Sequence, residues 1–218
     1  MVITIDGAAG VGKTTTAKKL AKELGYQYFD TGAMYRAVTF FFLSEKVDIN
    51  LASKVKESLK AMNLQIDFLS GSDMVILLDG KDISLKIRNQ EVTSNVSAVS
   101  ALKEVRQMMV SIQRSITEQG NFIVEGRDIG SVVFPDAQYK FYLTADYDVR
   151  AKRRLVDFEK INEAKDINKI KEDLIVRDKY DSNRKLSPLI KPDGAIIIDT
   201  SDCSFDEQVN QMLKKIER

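Results

Sequence analysis

The stretch Val2–Leu24, VITIDGAAGVGKTTTAKKLAKEL, decides the fold. Val2 to Asp6 reads as a short buried strand. From Lys13 onward Ala17, Leu20, Ala21 and Leu24 recur at helical spacing until Gly25 ends the helix. Between strand and helix, Gly7, Gly12, Lys13 and Thr14 satisfy G-x-x-x-x-G-K-[ST] in the context that pattern requires. Glycines let successive N–H groups turn inward, and the helix N-terminus adds partial positive charge, so the loop suits phosphates. The expected cradle is Gly7, Ala8, Ala9, Gly10, Val11, Gly12, Lys13, Thr14 and Thr15. In it Lys13 is expected to reach the β and γ phosphates of a bound nucleotide, and the Thr14 hydroxyl can ligate Mg²⁺.

Further apolar runs at Phe122–Val124, Lys140–Leu143 and Ala195–Asp199, separated by helical pattern, predict a parallel sheet covered on both faces and an α/β fold. The segment LQIDFLSGSDMVILLDGKDIS, from Leu64 to Ser84, alternates strand-like runs with Ser-Gly and Asp-Gly turns, which predicts a small inserted antiparallel sheet. Leu102, Val105, Met109, Ile112 and Ile116 form one apolar helical stripe suited to core packing. Between Asp146 and Lys185, 22 of 40 residues are charged with both signs mixed, too polar for a core of their own; a mobile helical cover is expected there.

Composition narrows the chemistry. The 218 residues carry 33 basic and 32 acidic side chains, so no overall field draws nucleic acid or an anionic membrane, and neither is expected as a partner. The chain has no histidine, which removes histidine-activated nucleophiles and histidine metal ligands. Cys203 is the single cysteine, so no intramolecular disulfide forms, and a reducing cytoplasm is the expected compartment. No apolar run is long enough to span a bilayer, and no export signal is read at the start.

Phosphate-loop proteins include GTPases, ATPases and small-molecule kinases. A guanine-specific N-K-x-D element is missing, because NKIK at Asn168 has lysine in the last place. Three clusters bear on the acceptor: DTGAMYR (Asp30–Arg36), EGRDIG (Glu125–Gly130) and RDKYDSNR (Arg177–Arg184). Ligands of open α/β sheets bind beyond the carboxyl ends of strands, so Arg36 and Arg127 are expected to converge beside the cradle. Arg177, Asp181 and Arg184 share one helical face that continues the Ile170 and Leu174 stripe. Thr31 is in addition the expected N-cap of the helix after it. A phosphate acceptor unifies these features: its oxygen is already ionised at neutral pH, and transfer needs charge neutralisation and alignment rather than a base. A kinase for another nucleotide or for a small molecule such as shikimate remains an alternative, as does a non-enzymatic ATP-sensing module.

The sequence resembles the bacterial cytidylate kinases, a nucleoside monophosphate kinase family, through VITIDGAAGVGKTT, DTGAMYRAV, IRNQEV, EVRQMM, EGRDIGSVVFPDA and RDKYDSNR, in order along nearly the whole chain. The resemblance implies ATP and Mg²⁺ as cofactors, CMP and dCMP as substrates, and a monomer. It implies a five-stranded parallel core over 1–30, 104–149 and 185–218, a monophosphate-binding region over 31–103 and a lid over 150–184. Carried over by position, Thr31, Arg106 and Asp128 would contact cytosine, with Asp128 accepting from its amino group. Tyr35, Arg36, Arg127 and Arg184 would hold the acceptor phosphate, with Ser97, Arg177 and Asp181 near the pentose. Arg153 and Arg154 would belong to the lid over ATP. Lys13, Arg127, Arg177 and Arg184 are the expected catalytic set. The sequence departs from the family pattern at Ala8, where many relatives carry proline, at Thr31 for serine, and at Glu125 where some have aspartate.

Overall fold

The computed structural model describes residues 1–69, 74–160 and 164–216. Five strands, β1 (Val2–Gly7), β2 (Gln27–Asp30), β6 (Phe122–Gly126), β7 (Tyr139–Thr144) and β8 (Ile196–Asp199), form a parallel sheet in the order β2-β6-β1-β7-β8. Side chains alternate across it. Ile3, Ile5, Ile123, Phe141 and Leu143 pack under α1 (Lys13–Leu24) and α8 (Phe205–Ile216). Phe29, Phe122 and Val124 face the opposite layer, built from α2 (Thr31–Ser44), α3 (Ala52–Ala61), α4 (Gln90–Ser100) and α5 (Lys103–Thr117).

The expected inserted sheet is present as β3 (Leu64–Phe68), β4 (Met74–Leu78) and β5 (Lys81–Asp82), all antiparallel. Asp79 and Gly80 turn between β4 and β5 with φ of 51° and 74°, the paired positive values of a tight hairpin. The expected Ser70–Gly71 turn lies outside the described residues. Phe68 meets Phe29 edge-on at 5.6 Å and Phe122 at 5.3 Å, which seats the insert on the main sheet. The charged segment forms α6 (Tyr147–Glu159) and α7 (Ile167–Asn183), which bury only Ala151, Ile170 and Leu174 as an apolar cluster.

Three local expectations need correction. Asp30, not Thr31, caps α2: its carboxylate accepts from the Ala33 N–H at 2.9 Å, while Thr31 is already helical. Arg184 does not continue α7, which ends at Asn183; Arg184 is extended, with ψ of 140°. The α5 stripe is less uniform than its apolar members suggest, since the line of buried residues runs Val105, Arg106, Met109, Gln113 and Thr117, and Leu102 precedes the helix as its N-cap.

Candidate active site

Register places the carboxyl ends of three neighbouring strands side by side: Asp30 lies opposite Glu125, and Asp6 opposite Gly126. The loop after β1 enters α1 through Gly12, whose φ of 92° strains any side chain and where an added Cβ would come within 3.1 Å of the Phe205 ring. Other elements grip the loop from outside. The Thr200 hydroxyl donates to the Val11 carbonyl at 2.9 Å, the Arg150 Nε to the Ala9 carbonyl at 2.7 Å, and the Thr16 hydroxyl to Gln208 at 2.6 Å.

Lys13 lies under this loop with Nζ donating to the Ala8 carbonyl at 2.7 Å. Burial pulls its pKa down to about 7, Arg127 acts in the same direction, and Glu125 and Asp6 oppose them. Glu125 accepts from the Tyr28 hydroxyl, and burial with the nearby Asp30 holds its carboxyl above the usual range. Thr14 also faces Glu125. Among the described residues no three acidic or cysteine side chains gather to hold a metal. The Thr14 hydroxyl, at the start of α1, is a single oxygen donor of the kind that could join water and phosphate oxygens around Mg²⁺.

The expected arginines converge. Arg36 pairs with Asp30 at 2.9 Å, Arg127 with Asp181 at 3.3 Å, and Arg184 faces Asp128 at 3.8 Å. Their side chains are 21%, 19% and 6% exposed, so none is splayed into solvent. The carboxylates do not satisfy them: Arg36 Nε, Arg177 Nε and Arg184 Nη2 are buried with no hydrogen-bond partner. Burial, with Arg127 crowding it, lowers the Arg177 pKa to about 10. Buried guanidinium N–H groups left without a partner, on side chains of like charge, are costly by themselves and fit an anion with several oxygens.

Arg106 pairs with Asp128, both nearly fully buried, and lies over the Tyr35 ring at 5.4 Å. Tyr35, expected at the phosphate, lies between Arg106 and Arg184, and burial raises its pKa to about 12. Thr31 donates to the Glu125 carbonyl at 2.7 Å. Ser97 is half-buried on α4, where its carbonyl accepts from the Ser100 hydroxyl, and it bonds neither Arg177 nor Asp181. Arg153 donates to the Thr200 hydroxyl and carbonyl at 3.0 and 2.6 Å, beside Gly12, while Arg154 pairs with Asp157 at 3.2 Å.

Several groups escaped the sequence reading. Asp6 accepts from the Ile129 and Gly130 N–H groups at 2.7 Å each and so ties β1 to the single π-turn, Ile129–Val133, that directly follows Arg127 and Asp128. Arg88 reaches Asp30 at 3.8 Å. Arg150 pairs with Asp178 at 2.7 Å in the buried seam between α6 and α7. Asp178 carries a visible signal: it lies four residues beyond Leu174 on the same stripe. The partners of the others depend on which strands become neighbours.

The sequence model described as Cytidylate kinase matches residues 3–218. The chain belongs to the cytidylate kinase family. It is 45% identical to the cytidylate kinase of Clostridioides difficile over 216 residues, covering 99% of this chain and 98% of that one. It is 43% identical to that of Caldanaerobacter subterraneus subsp. tengcongensis, covering 99% and 94%. Among solved structures it resembles an uncharacterised protein from Eubacterium ventriosum, with a TM-score of 0.52 and 12% identity over 100% and 98% of the two chains; that likeness speaks to the fold alone. As a cytidylate kinase the chain is a phosphotransferase acting on nucleotides.

Proposed function

We propose that the chain transfers the γ-phosphoryl group of ATP to CMP or dCMP, giving ADP and CDP or dCDP. The observation that carries this reading is the set of buried, unsatisfied guanidinium N–H groups on Arg36, Arg177 and Arg184, with Arg127 and Arg177 close enough to act on Lys13 and Arg36 on Arg177. An oxygen of the acceptor phosphate, already ionised, forms the new bond to the γ-phosphorus as the bond to the β,γ-bridging oxygen breaks. No proton has to be removed, which suits a chain without histidine.

In this scheme Lys13 neutralises the transferring group, Tyr35, Arg36, Arg127 and Arg184 hold the acceptor phosphate in line with it, and Arg177 lies near the pentose. Mg²⁺, ligated by Thr14, supplies Lewis-acid polarisation of the β- and γ-phosphates when bound. Asp128 accepts from the cytosine amino group and Arg106 donates to a ring carbonyl, with Thr31 beside them. Asp181, bonded to Arg127, places the pentose side of the site, and Ser97 on α4 flanks it. Residues 31–103 act as the monophosphate-binding region and 150–184 as a lid whose closure excludes water, with Arg153 and Arg154 on the ATP side. A cytoplasmic monomer is part of the same proposal, from the family resemblance and the single cysteine.

The test is ADP release measured across CMP, dCMP, UMP, AMP, dTMP and shikimate. The expected result is the highest kcat/KM with a cytidine nucleotide; a higher value with any of the others would overturn the assignment.

A further inference from the structure

Ser187 lies three residues past the end assigned to the lid and belongs to none of the motifs that mark the site. Its backbone is left-handed, with φ of 51°, a conformation that non-glycine residues seldom adopt, and Pro188 follows it. This turn is fastened by the Leu189 N–H, which donates to the Asp181 carbonyl at 2.9 Å, and so stands against the end of α7.

The turn aims two oxygens of one residue at two arginines. The Ser187 hydroxyl accepts from Arg106 Nε at 2.9 Å, and the Ser187 carbonyl accepts from Arg184 Nε. Both arginines also face the Asp128 carboxylate, Arg106 by a direct ion pair and Arg184 at 3.8 Å. Burial pushes the Asp128 carboxyl up, and Arg106, Arg184 and then the Ser187 hydroxyl pull against it. Ser187 is therefore in reach of all three charged groups.

We infer that Ser187 is a specificity-positioning residue: its hydroxyl fixes the edge that Arg106 and Asp128 present to the base, while its carbonyl sets Arg184 against the same carboxylate. This inference rests on the assignment of Arg106 and Asp128 to the cytosine. A guanidinium has donors in a fixed planar fork, so holding Nε leaves its remaining N–H groups one plane in which to point. A carboxylate distinguishes an amino group from a carbonyl oxygen only if its oxygens stay on that edge. The division between hydroxyl and carbonyl predicts a division in kinetics. Removing the hydroxyl frees the base-reading pair and leaves the backbone acceptor of Arg184 in place.

The experiment compares Ser187→Ala and Ser187→Gly with the wild-type protein, measuring kcat and KM for CMP and UMP together with thermal unfolding. Both variants are expected to contract the CMP:UMP ratio of kcat/KM about tenfold, through KM for CMP, with kcat on CMP within about twofold of wild type. Glycine is expected to keep or raise the unfolding temperature, since it adopts positive φ freely. A ratio unchanged in Ser187→Ala would overturn the inference. A ratio lost in Ser187→Ala but kept in Ser187→Gly would also overturn it, because backbone strain rather than the hydroxyl would then be responsible. A wild-type protein that does not prefer CMP would instead overturn the substrate assignment beneath it.

Discussion

At the scale of single residues the site is a balance of buried charges, and each variant probes one part of it. In the proposed mechanism Lys13, Arg127 and Arg184 act on charge that develops during transfer, so Lys13→Ala, Arg127→Ala and Arg184→Ala are each expected to lower kcat about a hundredfold or more, with circular dichroism unchanged. Asp128→Asn keeps the volume of the side chain but adds a donor, and a CMP:UMP preference that shrinks while the fold persists is the expected outcome of paired kinetic assays. Asp6 carries a pH signature. Burial, only partly offset by its two N–H partners, pushes its pKa up to about 6 from 3.8. The folded carboxyl thus keeps its proton where the unfolded one releases it, so its contribution is fully present below pH 3.8 and is lost as pH rises to about 6. The stability of wild type relative to Asp6→Asn should fall by about 3 kcal/mol across that window in urea titrations. An unchanged difference would show that Asp6 ionises normally. Residue placement was legible where a motif fixes the backbone, as with Lys13 under its loop and Arg127 after β6. It was not legible where two adjacent side chains compete for one task, as Asp30 and Thr31 do for the start of α2; the carboxylate at the strand end takes the Ala33 N–H, and the hydroxyl turns to the Glu125 carbonyl.

At the scale of elements, periodicity located β1 and α1 well because their signals are local: a buried run, a glycine turn and a stripe ended by Gly25. The same reasoning overran α7. Helical spacing placed Arg184 on the face of Arg177 and Asp181, but the turn at Ser187 and Pro188 redirects the chain, and the Leu189 N–H takes the Asp181 carbonyl from a later position. The seam between α6 and α7 shows what spacing cannot reveal. Arg150 and Asp178 meet across 28 residues, and only the packing of Ala151 against Ile170 and Leu174 brings them together. Deleting one partner of such a buried pair leaves the other charge uncompensated, so Asp178→Ala is expected to cost about 3–5 kcal/mol of stability, read from chemical denaturation. A change below about 1 kcal/mol would mean that water reaches the pair.

At the scale of the whole molecule, the α/β class follows from alternating strand and helix patterns, whereas the order β2-β6-β1-β7-β8 does not. That order decides the function, because it sets the loop after β6, with Arg127 and Asp128, next to the phosphate loop after β1. Which carboxylate neutralises which arginine was equally hidden, since Asp30, Asp128 and Asp181 come from three separate elements. The grip of Arg150 on both the Ala9 carbonyl and Asp178 reaches beyond stability. One guanidinium joins the loop at Ala9 to α7 through Asp178, so any swing of α7 away from the loop has to break one of the two contacts. If α6 and α7 act as the proposed lid, escape of product rather than bond-making is expected to govern the pace of the cycle. Turnover that slows in proportion to solvent viscosity is the expected sign, and turnover indifferent to added sucrose would place the slow event in the chemistry itself.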